Sequence, residues 1–254
     1  MVKQAKVKNM SARRGAAAKR PRAQSRRGGT SVRNNRVDVG TLTPEHLVQV
    51  AVRIAEANGL EALSMRTLAA EVGVEAMSLY SHLPSKQELL GRMASLVVNS
   101  VPTPRATLAP RERLCQLARS IRAAGSEFPN VFPLVVLMPL EIHSAARFTE
   151  IALAAFLDAG LSDHQAICSM RVFLSYVRGS VLWEIGGFVA GRRTSPMQRI
   201  SPRVLADIDS LEEHLFSNTR RLARTLISID PERAFREGYD HILDTLIPKG
   251  KRRP

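Results

Sequence analysis

From residue 41 onward, apolar side chains return at intervals of three and four residues, and no stretch alternates apolar with polar as a half-buried strand would. A chain patterned this way buries its stripes only by packing helix on helix, so the predicted fold class is all-α. Start and stop residues divide the pattern. Thr43 followed by Pro44 opens a first helix with Leu47, Val50, Ala51 and Ile54 inward, and Gly59 ends it. Ser64 precedes a second, with Met65, Leu68, Ala69 and Val72 on one face. Gly73 supplies the left-handed turn after it, and a short third helix is predicted over about 75–82, with Val74 and Leu79 turned inward. Pro84 stops that helix. Ser85-Lys86-Gln87-Glu88 reads as a capping box for a fourth, which carries Leu89, Leu90, Met93, Leu96 and Val97.

Val101-Pro102-Thr103-Pro104 is the predicted domain boundary, separating residues 41–101 from residues 102–248. Beyond it, helices are predicted after Pro110, over about 144–159, from the capping box Ser162-Asp163-His164-Gln165, over about 203–227, and after Asp230-Pro231. The long helix after Ser162 carries Ala166, Met170, Phe173, Val177 and Val181. The last carries Phe235, Gly238, Ile242 and Leu246. A Gly/Arg-rich loop is predicted over 186–202.

The net charge of +14 is unevenly placed. Residues 1–40 hold 12 basic side chains against one acid, Asp38, whereas residues 41–101 hold four against six. The first segment has almost no large apolar residues, so burial cannot offset the entropy of ordering it, and it is predicted to be a disordered basic arm. Such an arm attracts polyanions, and its arginines suit a phosphate backbone or a minor groove. The plainer alternative is a solubilising extension. Residues 249–254 form a shorter basic tail.

Several classes of function are excluded. Two cysteines, Cys115 and Cys168, make neither a disulfide scaffold nor a cysteine-rich zinc site. The longest apolar run, Val131 to Leu140, is interrupted by Pro133 and Pro139 and falls well short of the roughly 20 residues of a membrane span. No phosphate loop, dinucleotide fingerprint, nucleophile elbow or zinc-protease motif occurs, and His143, His164, His214 and His241 lack metal-ligand spacing. The expectation is a soluble cytoplasmic protein without metal or cofactor, and not an enzyme.

Two short helices around a glycine turn make a helix-turn-helix, whose second helix can enter a major groove about 12 Å wide. Glu75, Ala76, Ser78, Tyr80, Ser81 and His82 are left for solvent or a ligand, and an exposed tyrosine and histidine on so short a helix are poor core residues. A three-helix subdomain without DNA contact is the bland alternative.

The block Leu60-Glu61-Ala62-Leu63-Ser64-Met65-Arg66-Thr67-Leu68-Ala69, then Gly73-Val74, then Leu79-Tyr80-Ser81-His82-Leu83-Pro84-Ser85-Lys86 resembles the tetracycline-repressor (TetR) family of bacterial transcriptional regulators, strongly over roughly 44–92. The stretch from Phe156 to Gly179 is similar to the ligand-binding domain of its tetracycline-repressor branch. The resemblance implies that Ser64 caps the second helix and that Arg66 and Thr67 face phosphates or an adjacent base. It places Glu75, Ala76, Met77 and Ser78 at base edges, and Tyr80, His82 and Lys86 on the backbone, with Ser81 between them. Ala76 and Met77 lack hydrogen-bonding groups, so readout would rest on thymine-methyl contact and Ser78.

For residues 102–248 the resemblance implies a four-helix interface between two copies, made by the helices of 162–185 and 231–247, and hence a palindromic operator. The alternative is that both stripes serve the internal core. It also implies a pocket for a small-molecule effector, with candidates Phe128, Phe132, Leu137, Phe148, Leu153, Arg171, Ser175, Tyr176, Arg178 and Trp183, though aromatics at helical spacing usually pack. Leu153 and Ser175 stand where the tetracycline-repressor branch has a drug-contacting glutamine and histidine, which argues against a tetracycline–magnesium inducer. An apolar or anionic ligand suits these side chains better, with Arg171 or Arg178 meeting the charge. The predicted function is a homodimeric repressor released from its operator by a small molecule; the alternative is an architectural protein that coats DNA through the basic arm.

Overall fold

The computed structural model describes residues 42–186 and 202–247. Among them every regular element is helical. The predicted arm, most of the predicted 186–202 loop and the basic tail lie outside the described residues. No helix among those described is long and apolar enough to cross a membrane.

α1 (Pro44–Asn58) starts where expected: Thr43 accepts the His46 N–H, and Gly59 leaves it at φ 92°. A single 3-10 turn, Leu60–Ala62, leads to α2 (Met65–Val72), α3 (Ala76–Leu79) and α4 (Lys86–Ser100). α5 (Pro110–Glu127), α6 (Phe132–Leu137), α7 (Ile142–Asp158) and α8 (Asp163–Gly186) follow, then α9 (Pro202–Asp209), α10 (Glu213–Ser228) and α11 (Pro231–Leu246).

Several expectations are corrected. α3 is one turn, not eight residues, because the chain tightens after Leu79. The apolar run after Val131 holds α6, a six-residue helix too short to show a period. The helix predicted over 203–227 is two, broken at Ser210–Glu212, where the Ser210 hydroxyl donates to the Asp207 carbonyl and so competes for the backbone. Ser85 caps α4 by accepting the Glu88 N–H at 3.1 Å, but the Glu88 carboxylate turns along the helix to Arg92 instead of closing the box. On α11 the buried stripe is Phe235, Tyr239 and Leu243; Gly238, Ile242 and Leu246 flank it half-buried.

α5, α7, α8 and α11 pack around Leu114, Leu117, Ile121, Phe148, Phe156, Phe173, Val177 and Val181. The apolar stripes of α8 and α11 read from the sequence are therefore largely used within the chain. Arg122 joins three of these helices: its Nε donates to the Glu184 carboxylate at 2.9 Å, and its guanidinium lies 5.6 Å from the Phe235 ring centroid. Burial pushes the Glu184 carboxyl up, with Arg122 opposing. Tyr176 stacks on Phe235, donates to its carbonyl at 3.1 Å, and lies directly over Gly238. A Cβ at Gly238 would collide with the hydroxyl end of that ring. Gly238→Ala is expected to lower stability by about 1–3 kcal/mol, as overpacking does. An unchanged denaturation midpoint would show that Tyr176 can swing clear without loss.

Two polar joints tie the first four helices to the rest. The Glu56 carboxylate near the end of α1 accepts the N–H groups of Asn130 (3.2 Å) and Val131 (2.8 Å), just ahead of α6. Asn130 Nδ2 answers by donating to the Ala55 and Glu56 carbonyls at 3.0 and 2.9 Å. Arg147 on α7 closes the end of α4, donating to the carbonyls of Val98 (3.0 Å), Asn99 (2.9 Å) and Val101 (2.6 Å) and to the Thr103 hydroxyl (2.8 Å). These bonds satisfy carbonyls that a helix end leaves without partners.

Candidate nucleic-acid interface

α2 begins at a complete capping box. The Thr67 N–H donates to Ser64 Oγ at 3.0 Å and the Ser64 N–H to Thr67 Oγ1 at 2.8 Å, while the Thr67 hydroxyl lies 3.0 Å from the Ala62 carbonyl. Both hydroxyls thus serve the cap, although the sequence placed Thr67 at the DNA. Arg66 beside them is exposed, and its guanidinium has no partner among the described residues.

At the other end Gly73 adopts φ 74°, ψ 29°. Its N–H reaches the Ala70 carbonyl at 3.3 Å and that of Val74 reaches Ala69 at 3.0 Å, the paired bonds of a Schellman turn. That turn redirects the chain into α3. Leu79 and Leu83 are wholly buried, Val74 packs half-buried beside them, and together they fix α3 against the core. The opposite face is presented outward: Glu75 and Ser78 are exposed, Met77 is 77% exposed and Tyr80 44%. Ala76 departs from expectation, lying half-buried against the core, so it supports α3 as well as sitting on its rim. Ser81 is exposed and its hydroxyl donates to the Ser78 carbonyl at 2.8 Å; His82 is half-buried.

Lys86, at the start of α4, donates from Nζ to the Leu63 carbonyl at 2.6 Å while the residue stays exposed. It thereby draws the beginnings of α2 and α4 together. An ammonium has three donors, so two remain for an external oxygen. Arg66, Tyr80, His82 and Lys86 can hold phosphates, and Met77 and Ser78 can meet base edges, the division that positions a short helix in a groove. Among the described residues no group of His, Cys, Asp and Glu could hold a metal ion.

The effector candidates are dispersed. Phe132 and Phe148 are core residues, and Phe128 and Leu153 pack half-buried against that core. Leu137 (74%) and Trp183 (62%) are exposed, as are Arg171 and Ser175. Tyr176 is engaged with α11, and Arg178 lies over the Phe148 ring. Two surface grooves, of about 600 Å³ beside Arg105, Gln116 and Arg119 and about 350 Å³ beside Gly91, Arg92 and Pro139, are lined by other residues. The Glu56–Asn130 and Arg147 joints escaped sequence reading; their partners are dozens of residues apart and follow no local motif.

A capped helix, a left-handed glycine and a one-turn helix with an exposed face make this a helix-turn-helix protein built wholly of helices among the described residues. The chain belongs to the tetR family of bacterial regulatory proteins. Residues 47–93 match the family's N-terminal model, and residues 103–247, more than half the chain, match the tetracyclin repressor-like C-terminal domain. It is 34% identical over 168 residues to the HTH-type transcriptional repressor DrrR1 of Streptomyces coeruleorubidus, a match spanning 65% of this chain and 62%, less than two thirds, of that protein. ActR of Streptomyces coelicolor in complex with actinorhodin is similar in structure, with a TM-score of 0.67 and 26% identity over 81% of this chain and 96% of that one. BioQ with its double-stranded DNA operator gives 0.52 and 27% over 58% and 90%.

Proposed function

We propose that this chain is a homodimeric transcriptional repressor that binds a palindromic operator through α2 and α3 and leaves it when residues 102–248 take up a small molecule. The carrying observation is the outward face of α3: Met77, Ser78 and Tyr80 are exposed on a helix that Leu79 and Leu83 hold from behind. BioQ's complex with its operator and ActR's with actinorhodin support the two halves of this reading. One head makes too few base contacts for specificity, so two must act together about 34 Å apart. α8 offers a face for pairing: Cys168, Val172, Ser175, Gly179 and Trp183 recur at four, three, four and four residues and all stay exposed. Such a regulator acts in the cytoplasm, where bacterial DNA is, and should release its effector chemically unchanged.

Fluorescence anisotropy tests the reading. The full chain should prefer the fragment upstream of its own gene over random duplex by about 10³-fold or more, whereas an architectural protein would bind both alike. Residues 41–101 carry fewer bases than acids, so much of the phosphate attraction must come from residues 1–40. Deleting residues 1–38 is expected to weaken binding and flatten its salt dependence, since each neutralised phosphate contributes roughly 0.9 to the logarithmic slope. An unchanged slope would make the basic segment irrelevant to DNA.

A further inference from the structure

The arginines along α5 are treated unequally. Arg111 pairs with Asp240 and Asp244 of α11, and Arg122 with Glu184 of α8. Arg119, between them in sequence and exposed, has no carboxylate partner and no side-chain hydrogen bond among the described residues. Neither has Arg105, exposed in the segment ahead of the helix. Both line the groove of about 600 Å³ between that segment and α5. On one wall the Leu108 N–H donates to the Arg105 carbonyl at 3.2 Å, a turn that keeps these two residues together. On the other, Glu112, Gln116, Arg119 and Ala123 recur at four, three and four residues, one face of the helix.

Two cations contributed to one groove by separate elements repel each other and concentrate a positive field, which an anion between them relieves. The chain has little to offer as that anion: outside the described residues it holds a single acid, Asp38, among many bases. Glu112 lines the same groove and pairs with neither arginine, so a plain anion meets one opposing charge there. Gln116 is half-buried, and its Oε1 is withdrawn from solvent with no donor reaching it. Because that oxygen holds no bond where it lies, turning the amide about its last torsion toward the groove breaks nothing, and a donor met there would satisfy it. The groove thus asks for an acid and a hydrogen-bond donor in one molecule, and its volume is that of a small-molecule site.

We propose that this groove binds a small organic acid that also carries a hydrogen-bond donor. Its acid group is taken by the forks of Arg105 and Arg119, its donor by the Gln116 amide oxygen, and its hydrocarbon frame by Leu108 and Ala123. The site lies beyond the repressor reading, which uses none of these residues, and stands or falls without it.

Three fluorescent probes of one ring framework test it on the full chain: 6-hydroxy-2-naphthoate, 2-naphthoate and 2-naphthol. The wild type should bind the hydroxynaphthoate saturably, one per chain, and more tightly than either probe that lacks one of its two groups. Arg105→Met and Arg119→Met should each weaken it by about tenfold, the loss of one charge-assisted contact. Arg171→Met, which removes an exposed arginine of α8 outside the groove, should leave it unchanged. Gln116→Met should cut the advantage of hydroxynaphthoate over naphthoate several-fold. Since neither groove arginine holds a partner in the chain, the thermal midpoints of their variants should stay within about 2 °C of wild type. Absence of saturable hydroxynaphthoate binding, full affinity in both groove variants, or equal losses in all three arginine variants would each overturn the proposal. So would an unchanged advantage in Gln116→Met, or a fall of several degrees in the midpoint of a groove variant, which would show that its arginine serves the fold.

Discussion

Leu79→Ala is expected to abolish operator binding and to lower stability by about 3 kcal/mol, within the range for emptying a fully buried leucine site. Leu79 is wholly buried and lies on a helix of four residues. A helix that short has no stability of its own, so its place depends on the side chains that anchor it. Glu75 at its start makes no side-chain capping bond that could compensate. Removing Leu79 leaves Val74, Ala76 and Leu83 to hold the turn, and Met77, Ser78 and Tyr80 lose the fixed frame that base contacts require. Urea denaturation reads the stability and anisotropy the binding. Operator affinity within a few-fold of wild type would mean that α3 is not the reading element.

The second large effect is expected at Glu56. Glu56→Ala removes the carboxylate that accepts the Asn130 and Val131 N–H groups just ahead of α6. Losing charged acceptance of two part-buried N–H groups should cost about 2 kcal/mol, and Glu56→Gln, which keeps an oxygen but not its charge, about half that. The distinguishing readout is cooperativity. With this joint weakened, α1–α4 and the remaining helices are expected to unfold at separate denaturant concentrations, giving a broadened or two-step transition. A single sharp transition with an unchanged midpoint in Glu56→Ala would show that the joint carries no energy between the two groups.

Sequence reading succeeded where a local residue decides a local geometry. Thr43, Gly59, Ser64 and Gly73 start or end helices through their own hydroxyls or positive φ, and each is visible without knowledge of the fold. It failed where the deciding partner is distant. The break at Ser210–Glu212 has no glycine or proline to mark it. Tyr239 was passed over in favour of Gly238, because the stripe was aligned on Phe235 and extended by three residues instead of four. In the reading region, Ala76 was assigned outward by position although its small side chain packs inward, and the cap that the hydroxyl of Thr67 closes was not foreseen beside its assignment to phosphates or an adjacent base. The α3 motif was therefore legible, but the division of labour inside it needed the surrounding core.

The Arg147 clamp has a mechanical consequence. Arg147 grips Val98 and Asn99 in the last turn of α4, while Lys86 stands at the first, 12 and 13 residues earlier on one uninterrupted helix. At 1.5 Å per residue that lever is about 19 Å long, so a tilt of about 5° around the gripped end sweeps its far tip through about 1.7 Å. That displacement exceeds the tolerance of a hydrogen bond to a phosphate oxygen. A rearrangement of α7 too slight to disturb its own packing would thus be magnified at the tip, with Arg147 as the fulcrum.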